Sequence, residues 1–213
     1  MRWVKRIFLG LIGLLVFVGL AAYIFLWVKP VGINNYVNKS TLLLAVDSPE
    51  ILTYIGAIDN TPLDFHSGKL GKYTKEQDDK SLAKVKKARK GLDKYGPDGL
   101  EGQKLLSWKT MAWFMDDIIT DSEFEYSGYP VNQISGPFVN LPQFLTDTHA
   151  IKNKKSVERY LSRLNEFGRV IGEVHVRVED HRDNGVIAPD FIIEKTLVGL
   201  RSFIEEGAEA NPL

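Results

Sequence analysis

The run "IFLGLIGLLVFVGLAAYIFLWV", Ile7 to Val28, holds 22 residues without one charge. As a helix at roughly 1.5 Å per residue it spans about 33 Å, enough for a hydrocarbon core of about 30 Å. No other stretch of the chain constrains folding so tightly, because a helix this apolar on every side needs lipid or a deep core around it. Arg2, Lys5 and Arg6 precede it and Lys29 follows. The cationic excess on the short N-terminal side predicts an N-terminus in the cytoplasm. Trp3, Tyr23 and Trp27 stand near the ends, where amphipathic rings favour the membrane interface. Gly19 and Ala21 offer the small residues of a signal-peptide cleavage site, but the apolar run outlasts the 7–15 residues usual for a signal core. The expectation is a single-pass anchor through Ile7–Val28 in the cytoplasmic membrane. The rest of the chain then lies outside the cytoplasm, in the periplasm of a Gram-negative cell.

The chain has 213 residues, with 27 basic side chains balanced by 27 acidic ones. Zero net charge argues against nucleic acid as a partner. The absence of cysteine excludes disulfides, thiolate zinc sites and a cysteine nucleophile. The expected organisation is a stub and anchor at 1–28, a tether at 29–38 rich in Asn with one Pro and one Gly, and a domain at 39–213.

That domain reads as all-α. Ser48-Pro49-Glu50 has the order of a cap, a first-turn proline and an acidic residue at the positive helix end. Thr74 and Gln77 form a capping-box pattern before a helix carrying Leu82, Val85, Ala88 and Leu92, stopped at Gly96-Pro97. The cluster Lys84, Lys86, Lys87, Arg89 and Lys90 on it reads as a solvated face. A third helix carries Leu105, Trp108, Ala112, Met115 and Ile119, widened by Leu106, Trp113 and Phe114. Its Asp116-Asp117 pair reads as solvent-facing. The longest periodic stretch predicts one helix capped by Ser156 and apolar at Val157, Tyr160, Leu161, Leu164, Phe167, Ile171, Val174 and Val178. Asp183-Asn184-Gly185 ends it, and Pro189 starts a last helix with Ile193, Leu197, Leu200 and Ile204. Two helices joined so closely are expected to pack antiparallel.

Chemistry is harder to find. The four histidines, His66, His149, His175 and His181, include no pair at the i, i+4 spacing of a helical zinc motif. His175, between two valines, reads as a satisfied structural histidine. No Gly-x-Ser-x-Gly elbow and no phosphate loop is present. The residues by themselves supply no catalytic group and no metal site.

Four segments, in order, carry a resemblance: "DSPEILTYIG" (Asp47 to Gly56), "YPVNQISGPFVNLPQFLTDTHAI" (Tyr129 onward), "SVERYLSRL", and "RDNGVIAPDFIIEKTLVGL". The shared positions are Tyr129 to Gln133, Gly136, Leu141 to Leu145, Tyr160 to Leu164, and Gly185 to Pro189. Together they resemble the N-terminal half of the bacterial family of domain-of-unknown-function 885 proteins (DUF885), which are zinc-metallopeptidase- and carboxypeptidase-like. Members carry zinc on His-Glu and Pro-Gly-His motifs in a C-terminal half. This chain ends at "EEGAEANPL" with no matching positions, so the resemblance implies a fragment without its catalytic half, inactive alone. Zinc is expected in full-length relatives and not in this chain. The implied partners are the lipid bilayer, a missing C-terminal half, or a peptide substrate. The alternative is a non-catalytic anchored helical module that binds a peptide or protein.

The resemblance gives the loop Tyr129 to His149 two readings. In one it lines a substrate channel: Asn132 and Gln133 bind a peptide backbone, and Tyr126 and Tyr129 stack on its side chains. In the other it is a structural crossing, with Asn140 capping a helix that Pro142 starts and Gln143 completing the box.

Overall fold

The computed structural model describes residues 2–28, 30–211 and 213, and the side chains of these except Arg2, Val4, Lys5, Ala208 and Ala210. The basic side chains of Arg2, Lys5 and Lys29, part of the expected anchor flank, therefore lie outside the described residues. Among the described residues every regular element is helical, and the fold class is all-α. The chain divides into two compact units, residues 1–44 with 84–119, and residues 45–83 with 120–213.

The first unit begins with α1 (Arg2–Tyr23), continued by one wider turn at Ile24–Val28. Residues 6–28 form a helix long and apolar enough to cross a membrane, and none of it is buried within the protein. The next helix, α2 (Ile33–Ala45), starts inside the segment expected to be a tether. Ile33 explains the early start, since it is a core residue: it packs with Leu92 at the end of α4 (Lys75–Leu92) and Ala112 of α5 (Gly102–Asp121). Tyr36, Tyr95, Leu100, Trp108 and Met111 surround these three. The polar tips of the rings find backbone oxygens: Tyr36 donates to Ala88 at 2.6 Å, Tyr95 to Pro30 at 2.7 Å and the Trp108 indole to Leu92 at 3.3 Å. Gly91 makes the first of these possible, because a Cβ there would lie 2.1 Å from the Tyr36 hydroxyl. Asp116 and Asp117 are exposed, and Asp116 accepts from Arg89 at 2.7 Å.

The second unit contains α3 (Pro49–Ile55), α6 (Pro137–Asp147), α7 (Lys154–Asn165), α8 (Phe167–Asp183), α9 (Asp190–Glu205) and α10 (Gly207–Ala210). Helices α6 and α7 lie against α8, and Leu70, Leu141, Phe144, Leu145, Val170 and Val174 form the core. The start signals hold at α3, where the Ser48 hydroxyl accepts from Ile51 N at 3.2 Å, and at α4, where Thr74 accepts from Gln77 N at 3.3 Å.

Several local expectations are corrected. Helix α6 starts at Pro137 behind Gly136, not at Pro142, which lies inside it. Gly136 holds φ +105°, a conformation that favours glycine, and a Cβ there would press on the Pro130 carbonyl at 3.2 Å. The expected long helix is two, because its hydrogen bonding tightens at Glu166, whose N–H reaches Arg163 O at 3.1 Å. Asn153, not Ser156, caps α7: Asn153 Oδ1 accepts from Ser156 N at 3.0 Å, and Ser156 Oγ accepts from Asn153 N at 2.9 Å. The buried positions along α7 and α8 are Ser156, Arg163, Val170, Val174 and His181, while Leu161 and Ile171 are exposed. Helix α9 contains no buried residue, and Ile192, Thr196, Leu200 and Phe203 are its half-buried positions.

Candidate functional site

The densest polar structure in the second unit is built on residues 56–73, which form no helix. Asp64 organises its turn. Its carboxylate accepts from Asn60 N at 2.8 Å, Ser67 N at 3.1 Å and Ser67 Oγ at 2.7 Å, and pairs with Arg159 of α7. Arg159 also donates to the Asp64 carbonyl at 3.0 Å. Burial opposes the charge on Asp64, but the Ser67 and Asn60 bonds and the Arg159 guanidinium outweigh it and hold the carboxyl down at about 2. His66, almost wholly buried, stands between two carboxylates, with Nε2 2.8 Å from Asp59 Oδ1 and Nδ1 3.4 Å from Asp64 Oδ1. The distances are short, yet neither contact is aligned as a hydrogen bond.

Arg163, fully buried on α7, gathers this segment. Its Nε donates to Lys69 O at 2.9 Å and Nη2 to Thr53 Oγ1 at 2.7 Å, with longer contacts to the carbonyls of Pro49 and His66. Nη1 lies 2.9 Å from His149 Nδ1, and the guanidinium sits over the Phe144 ring at 4.8 Å. His149 Nε2 is 3.0 Å from Ser156 O, so that nitrogen donates and Nδ1 accepts from Arg163. The imidazole is then neutral. Burial pushes its pKa down and the Arg163 charge adds to the effect, against the bond to Ser156 O. Burial also lowers Arg163, to about 10, opposed by the carboxylates of Glu50, Asp59 and Asp64. Arg163 therefore keeps its charge at neutral pH while every nitrogen is engaged with protein. Chemically the arrangement is a clamp that closes α3, residues 56–73 and α7 on one another.

The residues proposed from sequence for substrate lie elsewhere. The Tyr126 hydroxyl is 3.2 Å from Asp180 Oδ2, and its ring meets His181 edge-on with centroids 5.0 Å apart. Tyr129 is half-buried. Asn132 closes its own turn, its Oδ1 accepting from Ile134 N and Ser135 N, both at 2.9 Å. Gln133 Oε1 is buried without a hydrogen-bond partner. Among the described residues no hydrogen bond links these four to one another. His175 is exposed, with Nε2 3.6 Å from Glu179 Oε1. Sequence reasoning passed over Arg163, Arg159, Asp64 and His149. One signal was present: Ser156 and Arg163 stand at heptad spacing with Val170, and His181 eleven residues further on, on the stripe that carries Val174.

The histidines do not converge as metal ligands. His66 turns its two nitrogens to opposite carboxylates, and both nitrogens of His149 are engaged. Among the described residues no group of three or more His, Cys, Asp or Glu is placed to hold a metal ion. The residues described here do not fit a zinc centre, and no catalytic step is assigned to them.

These features define an all-α protein with a clamped helical domain and a span-length N-terminal helix. Residues 49–213 match the family model described as bacterial protein of unknown function (DUF885), and the chain belongs to that family. No curated protein matches, and no solved structure matches.

Proposed function

We propose that this chain is the membrane-anchored, substrate-side part of a zinc-metallopeptidase-like, carboxypeptidase-like protein, and that a zinc-bearing half not contained in residues 1–213 completes it. The observation that carries this reading is α9. Phe191, Ile193, Leu197, Val198 and Ile204 are all exposed on a helix with no buried residue. Leaving a Phe or Ile in water forgoes roughly 1.5–3 kcal/mol each, so a helix of this composition is suited to cover by further polypeptide. Family membership over residues 49–213 supports the same reading. The basic flank of Arg2, Lys5 and Arg6 supports an N-terminus in the cytoplasm and a helical domain outside it.

The test mixes the full chain, purified in detergent, with the separately expressed C-terminal half of a full-length family member. Cleavage of a peptide mixture is followed by mass spectrometry. The expected result is no cleavage by the chain alone, and zinc-dependent cleavage by the pair. Cleavage by the chain alone, or halves that fail to associate, overturns the reading. Alkaline carbonate should leave the protein in the membrane, and protease added to intact spheroplasts should digest the helical domain.

A further inference from the structure

Charge is divided between the two units. The first holds thirteen Lys and Arg against five Asp and Glu; the second holds fourteen against twenty-two. The neutral chain is thus a unit of +8 carrying the span-length helix and a unit of −8. Discounting Arg2, Lys5, Arg6 and Lys29, which flank the span, the first unit still has nine basic residues against five acidic. Lys86, Lys87, Lys90 and Lys94 are exposed beside the buried Val85 and Leu92, and Lys104 and Lys109 are exposed on α5.

The same unit leaves one face of α5 uncovered. Its Ala112 and Met115 are buried, whereas Leu106, Trp113 and Phe114 are 57%, 66% and 48% exposed. Leu106 and Trp113 are two turns apart on one side, with Lys109 and Thr110 between them. Trp, Leu and Phe beside Lys are the side chains that partition into the headgroup layer. This helix is also held close to the end of the span. The Tyr95 hydroxyl donates to Pro30 O at 2.7 Å, two residues past Val28, and Tyr95 shares a cluster with Ile33, Ala112 and Trp108. Ile33 follows Val28 by five residues, at most about 18 Å of extended chain.

We infer that the exposed face of α5 is a second membrane contact, in which Leu106, Trp113 and Phe114 enter the headgroup layer of an anionic bilayer and the lysines of this unit engage its phosphates. The inference rests on the reading that α1 spans the membrane. The contact makes the first unit lie on the bilayer as well as hang from it.

The chain has no cysteine, so single-cysteine variants can be spin-labelled without background. The full chain is reconstituted in nanodiscs of neutral phosphatidylcholine, with or without anionic phosphatidylglycerol. Leu106→Cys and Thr110→Cys report on α5, Leu15→Cys on the span and Lys154→Cys on the second unit. The expected result is that labels at 106 and 110 lose broadening by a water-soluble nickel complex and gain broadening by oxygen. The effect should be larger with anionic lipid and reversed by high salt, with Lys154→Cys unchanged. Labels at 106 and 110 open to the nickel complex while Leu15→Cys is lipid-shielded overturn the inference and leave the anchor standing. Shielding at 106 and 110 that is the same in detergent and in both lipids indicates a protein partner or a second copy, and also overturns it. A water-exposed Leu15→Cys label removes the anchor reading and the inference with it.

Discussion

The cluster around Leu92 and the cluster around Arg163 are similar in reach and unlike in chemistry. The first is apolar and aromatic, and its polar atoms are ring tips that donate to backbone oxygens of Pro30, Ala88 and Leu92. The second centres on a fully buried guanidinium with a neutral histidine, a threonine and several carbonyls around it. Apolar packing tolerates modest losses because neighbours relax into the space. A buried polar network does not, since removing one member strands the others. The second unit should therefore fail sharply at a few polar positions, and the first gradually at apolar ones.

The largest effect is expected at the clamp. Arg163→Met leaves Thr53, His149 and the Lys69 carbonyl without their donor, costing about 3–5 kcal/mol. Hydrogen exchange should show lost protection through residues 49–69 and 149–163 while Ile33 and Leu92 keep theirs. Simultaneous loss around Ile33 and Leu92 would break the two-unit contrast. Arg163→Lys should rescue little, because an ammonium cannot span the same acceptors.

In the first unit, Leu92→Ala should cost about 3 kcal/mol in a thermal melt of the reconstituted protein, leaving exchange around Arg163 unchanged. Gly91→Ala should cost about 1–3 kcal/mol by displacing the Tyr36 ring, and Tyr36→Phe should fail to relieve it fully, because the ring edge also lies within 3.3 Å of the new Cβ position. Ser156→Ala removes one arm of the α7 capping box and should cost about 1 kcal/mol, read as a shift in denaturation midpoint.

Acid should separate the units most finely. Asp64 has a folded pKa of about 2, below its unfolded value of 3.8. Its contribution is therefore present above about pH 4 and disappears as pH falls from there through about 2. Asp64→Asn should flatten the loss of protection around residues 59–67 in that window. An unchanged acid profile would show that the Asp64–Arg159 pair does not hold the turn.

The sequence alone was enough for the helical class, the span-length N-terminal helix, the caps at Ser48 and Thr74 and the stop at Gly185. Each depends on residues within a turn or two of one another, or on unbroken composition, and both are local quantities. The resemblance in residues 129–189 also pointed to the right family, because ordered short motifs survive as text. The split at Glu166, the start of α6 at Pro137 and the partners of Arg163 were decided elsewhere. Arg163 meets Thr53, 110 residues away, and Lys69, 94 residues away, and a charged residue in a helix pattern is ordinarily read as solvent-facing. Burial of a guanidinium becomes favourable only when distant carbonyls, a hydroxyl and an imidazole arrive together to accept its hydrogens, and that convergence exists only in the folded chain.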